Sequence, residues 1–172
     1  MTETAPERAN LSSAHGSDKP LRDAAAFARL VPSGVLLGLD PGTKTIGVAA
    51  CDATRRLASP VETIRRTKWT ADLARLAVIA KERSAAGIVL GYPLNMDDSE
   101  GPRAQASRQM GRNLIRGLGL PVLLWDERLS SFAAEEAMTE AGLSAARRKE
   151  RIDRAAAALI LEAAMAAMAK VG

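Results

Sequence analysis

From residue 35 onward the chain switches between short apolar runs and longer segments of helical period. Val35, Leu36, Leu37 and Leu39 stand together with no polar residue at alternate positions, the pattern of a strand covered on both faces rather than of a solvent-facing hairpin. A second run, 45–51, reopens after the turn "PGTK", and a third strand is expected in "RLASPVETIRR". "TADLARLAVIAKERSA" predicts a helix with Leu73, Leu76, Ala77 and Ala80 on one face, and "GIVLGYP" a central strand ending at Gly91. The loop "LNMDDSEGP" leads to a helix over 103–118, then to the buried strand "PVLLWDE". "SSFAAEEAMTEAG" reads as a helix with Ser130 or Ser131 as N-cap and Gly142 as its stop, and a last helix runs from Ala145 to Ala169. Three successive strands followed by helix-strand-helix-strand-helix predict an α/β domain. Its architecture is one mixed five-stranded sheet with helices on both faces.

Residues 1–19 are polar and without period, and "PLRDAAAFARLV" has the makings of a short helix from Pro20. The expected division is therefore a disordered leader over 1–33, containing that helix, and a folded domain over 34–172. At 172 residues and 47% hydrophobic content, one domain with a real core is expected. The Ala-rich C-terminal helix is the longest apolar stretch, and Glu162 with the charged run before it makes it a poor membrane span. The N-terminus lacks the basic-then-apolar order of a signal peptide, so a cytoplasmic protein without membrane partners is expected.

One cysteine, Cys51, and one histidine, His15, exclude an intrachain disulfide framework and a Cys/His zinc site. The histidine sits in the polar leader, which argues against Ser-His-Asp or Cys-His chemistry. Any catalysis must come from carboxylates, lysines, hydroxyls or a bound ion.

Carboxylates stand at the ends of apolar elements. Asp40 closes the first strand and Asp126 and Glu127 close "VLLWDE", where ligands of an open sheet collect. Asp153 shares a helical face with Ala156, Ala157, Ile160 and Ala164. Such an all-oxygen set suits Mg²⁺ or Mn²⁺, and with two ions it suits in-line attack of water on a phosphodiester. Each acid also has a structural alternative. Asp40 before Pro-Gly can start a turn, Asp126 or Glu127 can pair with Arg128 or cap a helix, and Asp153 can pair with Lys149. Because neighbours on a strand face opposite ways, only one of Asp126 and Glu127 is expected to face a site.

The net charge of +4 and pI near 9.6 permit a polyanionic partner. No acid occurs from Gly101 to Trp125, where Arg108, Arg112 and Arg116 recur at helical spacing, either as a solvated face or as a phosphate track.

"GLDPGTKTIGVA", "GYPLNMDDSEGPRA", "WDERLSS" and "KERIDRAAAALIL" resemble, in order and spacing, the four signature segments of the YqgF/RuvX family of pre-16S rRNA nucleases, also described as Holliday junction resolvases. The resemblance covers about residues 35–168. It implies a ribonuclease H-like fold, Mg²⁺- or Mn²⁺-dependent phosphodiester cleavage and 5′-end trimming of the small-subunit rRNA precursor, with branched DNA as the alternative substrate. The pre-ribosomal small subunit is an implied partner, and the chain would act as a monomer or homodimer. Carried over by position, Asp40, Asp126, Glu127 and Asp153 would be the catalytic acids, with Asp40, Asp126 and Asp153 on metal. Gly91, Pro93 and Leu94 would shape the site. Lys44, Arg108, Arg112, Arg128 and the cluster Arg147, Arg148, Lys149 and Arg151 would hold phosphates.

Two departures stand out. The family's Asp-Gly before Ser reads Asp97-Asp98-Ser99 here, so any positive φ at 98 falls on a residue that tolerates it at some cost. Junction resolvases of related fold carry a Glu at the end of the fourth strand, where this chain has "LGYP", an absence that the acid from "WDE" would offset. Two other functions fit the residues less well. A non-catalytic RNA-binding assembly factor would not need the acidic cluster. A nucleotide-binding domain of the actin and sugar-kinase type would need a second half that the chain lacks. With two Trp, one Tyr and two Phe, recognition by backbone and shape is expected ahead of base stacking.

Overall fold

The computed structural model describes residues 18–130, 142 and 144–171, the side chains of 146 and 148–154 excepted. The elements follow in the order α1 Ala24–Leu30, β1 Val35–Pro41, β2 Thr45–Cys51, β3 Ala58–Arg65, α2 Trp69–Glu82, β4 Ala85–Tyr92, α3 Pro102–Leu118, β5 Val122–Asp126 and α4 Ala145–Ala169. Of the helix expected over 130–142, residues 131–141 lie outside the described residues.

The strands form one sheet in the order β3-β2-β1-β4-β5. β1 pairs antiparallel with β2 and parallel with β4, which in turn pairs parallel with β5. The carboxyl ends of three parallel strands therefore meet at one edge, next to Asp40, Gly91 and Asp126.

Both faces of the sheet are covered, which is why its strands read as unbroken apolar runs. Leu37, Leu39, Ile88, Leu90, Val122 and Leu124 pack with α2 and α3. Leu36, Val89 and Leu123 pack on the other side with Phe27 of α1 and Ile160, Leu161 and Ala164 of α4. α4 approaches β1 so closely that a Cβ on Gly38 would lie 2.6 Å from the Ala157 carbonyl oxygen. Glycine is required there by space, not by backbone angle.

Three expectations are corrected. On α2 the buried residues are Asp72, Leu76, Ile79 and Ala80, while Ala77 is exposed. Both sets have helical spacing, and Ile79 offers more apolar surface to bury than Ala77. The short helix starts at Ala24 behind an Asp23 cap rather than at Pro20, and its Phe27 is fully buried. The Leu21 N–H donates to Val122 O at 2.8 Å, which sets this stretch along the open edge of β5. Ser130 is no N-cap: a helical turn is under way at Arg128, and the Ser130 hydroxyl accepts from the Trp125 indole N–H at 3.0 Å.

Candidate active site

Strand alternation sorts the acids at the carboxyl edge. Asp40 shares its parity with Leu36 and Gly38, hence the α4 face; its Cβ lies 3.6 Å from where a Gly47 Cβ would stand, beside that of Ala157. On β5, Leu123 faces α4 and Leu124 the opposite side, so Glu127 continues on the α4 face and Asp126 on the other. The Glu127 N–H donates to Tyr92 O at 3.2 Å, which carries the pairing with β4 one step past the strand end.

Glu127 thereby meets Asp40. Its carboxyl is pushed up to about 7, first by burial, then by the charge of Asp40 and a hydrogen bond shared with it, while Arg103 opposes the rise. Two carboxyls in such contact share a proton or demand a cation. Gly91 makes the arrangement sterically possible, because a Cβ there would stand 2.4 Å from Glu127 Oε1 and 3.1 Å from Ile160 Cδ1. The space left by the missing side chain at the end of β4 is filled by the Glu127 carboxyl.

Asp126 belongs to a different cluster. Arg128 donates through Nε to Asp126 Oδ1 at 2.9 Å and through Nη2 to Oδ2 at 2.7 Å. The same guanidinium reaches Asn95 O at 2.8 Å and Asp98 Oδ1 at 2.7 Å, clipping the 93–101 loop to the end of β5. The Arg128 guanidinium holds the Asp126 carboxyl below the usual range, and the two acids raise Arg128 in turn. Asp98 has φ +68°, so the position where the family carries Gly does use the left-handed region. Its pair with Arg128 offsets part of that cost. Asp97 turns back on the loop, accepting from the Ser99 N–H at 3.1 Å and hydroxyl at 2.5 Å, which lowers its pKa.

Asp153 lies on α4, one turn before Ala157. Leu161 and Ala157 both abut Gly38, and Ala157 also abuts Gly47, the register partner of Asp40. The helix position of Asp153 is thus on the side of Asp40 and the strand ends. The side chains of Asp153, Arg148, Lys149 and Arg151 lie outside the described residues. Among the described residues no group of three His, Cys, Asp or Glu is gathered for a metal.

Of the expected phosphate contacts, Arg108 pairs with Glu100 at 3.0 Å and Arg128 is engaged as above. Arg112 is half-buried, while Lys44 in the β1–β2 turn and Arg147 on the first turn of α4 are exposed. Arg116, on the same stripe, pairs with Asp18 at 3.1 Å. The sequence reading passed over Arg103, whose charge reaches Glu127. The available signal was its place in the first turn after "GYPLNMDDSEGP", at the mouth of the sheet. No helix among the described residues is long and apolar enough to cross a membrane.

The family model described as "RuvX: Holliday junction resolvase" matches residues 34–167. A protein of Cereibacter sphaeroides (strain ATCC 17025 / ATH 2.4.3) named "Putative pre-16S rRNA nuclease" is 59% identical over 136 residues, covering 79% of this chain and 85% of its own length. One of the same name from Novosphingobium aromaticivorans is 58% identical over 140 residues, covering 81% and 90%. Among solved structures, RuvC of T. thermophilus in complex with a Holliday junction substrate covers 81% of this chain and 96% of that one, with TM-score 0.53 and 16% identity. That likeness is one of fold. Matched along residues 34–167 and more than half identical to these relatives, the chain belongs to the RuvX family, on a ribonuclease H-like fold.

Proposed function

We propose that this chain trims the 5′ end of the 16S rRNA precursor by metal-dependent phosphodiester hydrolysis in the cytoplasm. As a RuvX-family member it is a nuclease. The observation that carries the reading is the contact of Asp40 and Glu127, two carboxyls at the ends of β1 and β5, where burial first and then the charge of Asp40 push Glu127 up to about 7.

That pair fits a hard divalent cation. Its donors are all oxygens, and a cation removes the repulsion that otherwise keeps a proton on one acid. Asp40, Glu127 and Asp153 are the residues proposed to hold Mg²⁺ or Mn²⁺, Glu127 taking the role first expected of Asp126. Held there in pairs, such ions would supply water activation and charge stabilisation for an in-line displacement at phosphorus. The chain's own part is to hold the two carboxyls at one fixed separation on rigid strand ends. Asp126 acts as a positioning residue, holding Arg128 and through it the 93–101 loop beside the site. Lys44, Arg103 and Arg147 supply cations for the phosphate backbone.

A four-way DNA junction is the second reading, supported by the description of the matching family. Resolving a two-fold junction takes two sites and hence a homodimer, whereas trimming an RNA end takes one. The deciding experiment sets a 5′-extended 16S precursor beside a four-way junction, with Mg²⁺ or Mn²⁺ and Asp40→Asn as control, while sedimentation reports the oligomeric state. Cleavage of the RNA by unaltered protein alone is the expected result. Binding of both substrates without cleavage under either ion would leave a non-catalytic assembly factor.

A further inference from the structure

We propose that the cleft beside the carboxylates seats one unpaired nucleotide of the substrate, with its base stacked on Trp69 and its flanking phosphates on Arg66 and Arg103. The inference rests on the nuclease reading above and adds the form of nucleic acid the enzyme takes.

A cleft of about 310 Å³ opens immediately after Asp40, between the turn that follows β1, the start of α2 and the flank of α3 that carries Arg103, Ser107 and Met110. Its lining brings together an indole, two guanidinium groups and the amide of Asn113, with no acid among the residues that form it. This is a combination for a base and its phosphates, and the volume suits one nucleotide rather than a helix. Trp69 opens α2, half-buried, backed by the core on one side and lining the cleft on the other. A ring supported in that way loses little freedom when a base covers it.

The cations are held in position. Arg66 donates through Nη1 to Gly42 O at 2.7 Å, which leaves the rest of its fork for an anion. Its backbone N–H donates to Lys44 O at 2.9 Å, so the turn bearing Lys44 is tied to the same rim. Arg103 lines the cleft and acts electrostatically on Glu127. The cleft opens at Pro41, next to Asp40, at the same carboxyl edge of the sheet as the proposed metal-binding acids, so a backbone leaving it has only the strand end to cross to reach them. Stacking tolerates any base, so the cleft selects unpaired over paired nucleotides and not one sequence.

The test measures binding by fluorescence anisotropy in an Asp40→Asn background, with a labelled single-stranded RNA, the same RNA annealed to its complement, and a series carrying one abasic site at successive positions. Trp69→Leu keeps apolar packing but removes the π-face; it is expected to weaken single-strand binding roughly ten-fold and duplex binding hardly at all. Trp69→Phe should retain most of the affinity. One abasic position should reproduce the loss with Trp69 present and add nothing to Trp69→Leu. Arg66→Ala and Arg103→Ala should each lower the salt slope of single-strand binding by about 0.7. Unchanged binding by folded Trp69→Leu, or an equal loss on duplex, overturns the proposal. Should Trp69→Leu fail to fold, the abasic series alone decides, and a flat profile overturns it. Absence of cleavage by the unaltered protein with Mg²⁺ or Mn²⁺ would instead sink the nuclease reading, which separates the two failures.

Discussion

At the carboxyl edge of the sheet, two acidic clusters begin from adjacent residues of one strand and end in opposite states. Asp126 looks to the α2 and α3 side, where Arg128 holds its carboxyl low and shares the charge with Asp98 and the Asn95 carbonyl. Glu127 looks to the α4 side, where it is buried against Asp40 and pushed up to about 7. The first cluster satisfies its charge within the chain and fastens a loop. The second keeps like charges together in a place that folding alone does not favour, and such unresolved repulsion marks functional sites. Strand alternation turns a one-residue step into a change of role.

Breaking the repulsive cluster should have the largest effect. Asp40→Asn is expected to lower metal-dependent cleavage ~10³-fold or more, with a melting temperature in EDTA equal to or above that of the unaltered protein. Activity with an intact melt tests the division directly, because a structural acid would show the reverse.

Glu127→Gln should follow, with a loss of ~10²-fold in cleavage. Its pH signature has a defined sign. The folded pKa, about 7, lies above the ordinary 4.5, so between these values the folded chain holds a proton that the unfolded chain has shed. Stability of the metal-free protein is therefore full below about 4.5 and falls as pH rises through 7. Melts in EDTA at pH 5 and pH 8 should differ less for Glu127→Gln than for the unaltered protein, leaving the variant relatively more stable at pH 8.

Gly91→Ala sharpens the comparison without touching an acid. The new Cβ would displace the Glu127 carboxyl, the far end of a flexible side chain 2.4 Å away, and spare Asp126. Cleavage is expected to fall ~10- to 100-fold, with little change in melting temperature. Asp126→Asn should cost about ten-fold or less in activity, and should speed proteolysis within the 93–101 loop as Arg128 loses its main anchor. Asp98→Gly should change stability by under ~1 kcal/mol, since relief of the positive φ opposes loss of an exposed ion pair; chemical denaturation reads it.

Much of the scaffold was legible because period and chemistry agree. The double-faced apolar runs marked β1, β4 and β5, and the bounds of α4 follow from Ser144 as cap and the long apolar stripe behind it. The positive φ at Asp98 was legible too, as a residue standing where Gly is usual. Ala77 and Ile79 were harder to tell apart, because both spacings suit a helix and only the packed neighbours choose between them. Arg66 and Trp69 stand three residues apart at the entry to α2, but Arg103 comes from α3, and nothing local connects it to them.

By itself the sequence determined that Asp126 and Glu127 face opposite ways and that acids end two of the central strands. It did not determine which of them meets Asp40. Val122 and Leu124 are as apolar as Leu123 and Trp125, so either face of β5 was equally fit to carry α4. The tertiary structure decided it through close approach. α4 settles where Gly38 and Gly47 leave room for Ala157, and Gly91 on that same face leaves room for the Glu127 carboxyl. Packing space, which no period of two or of 3.6 records, put Glu127 beside Asp40 and left Asp126 to Arg128.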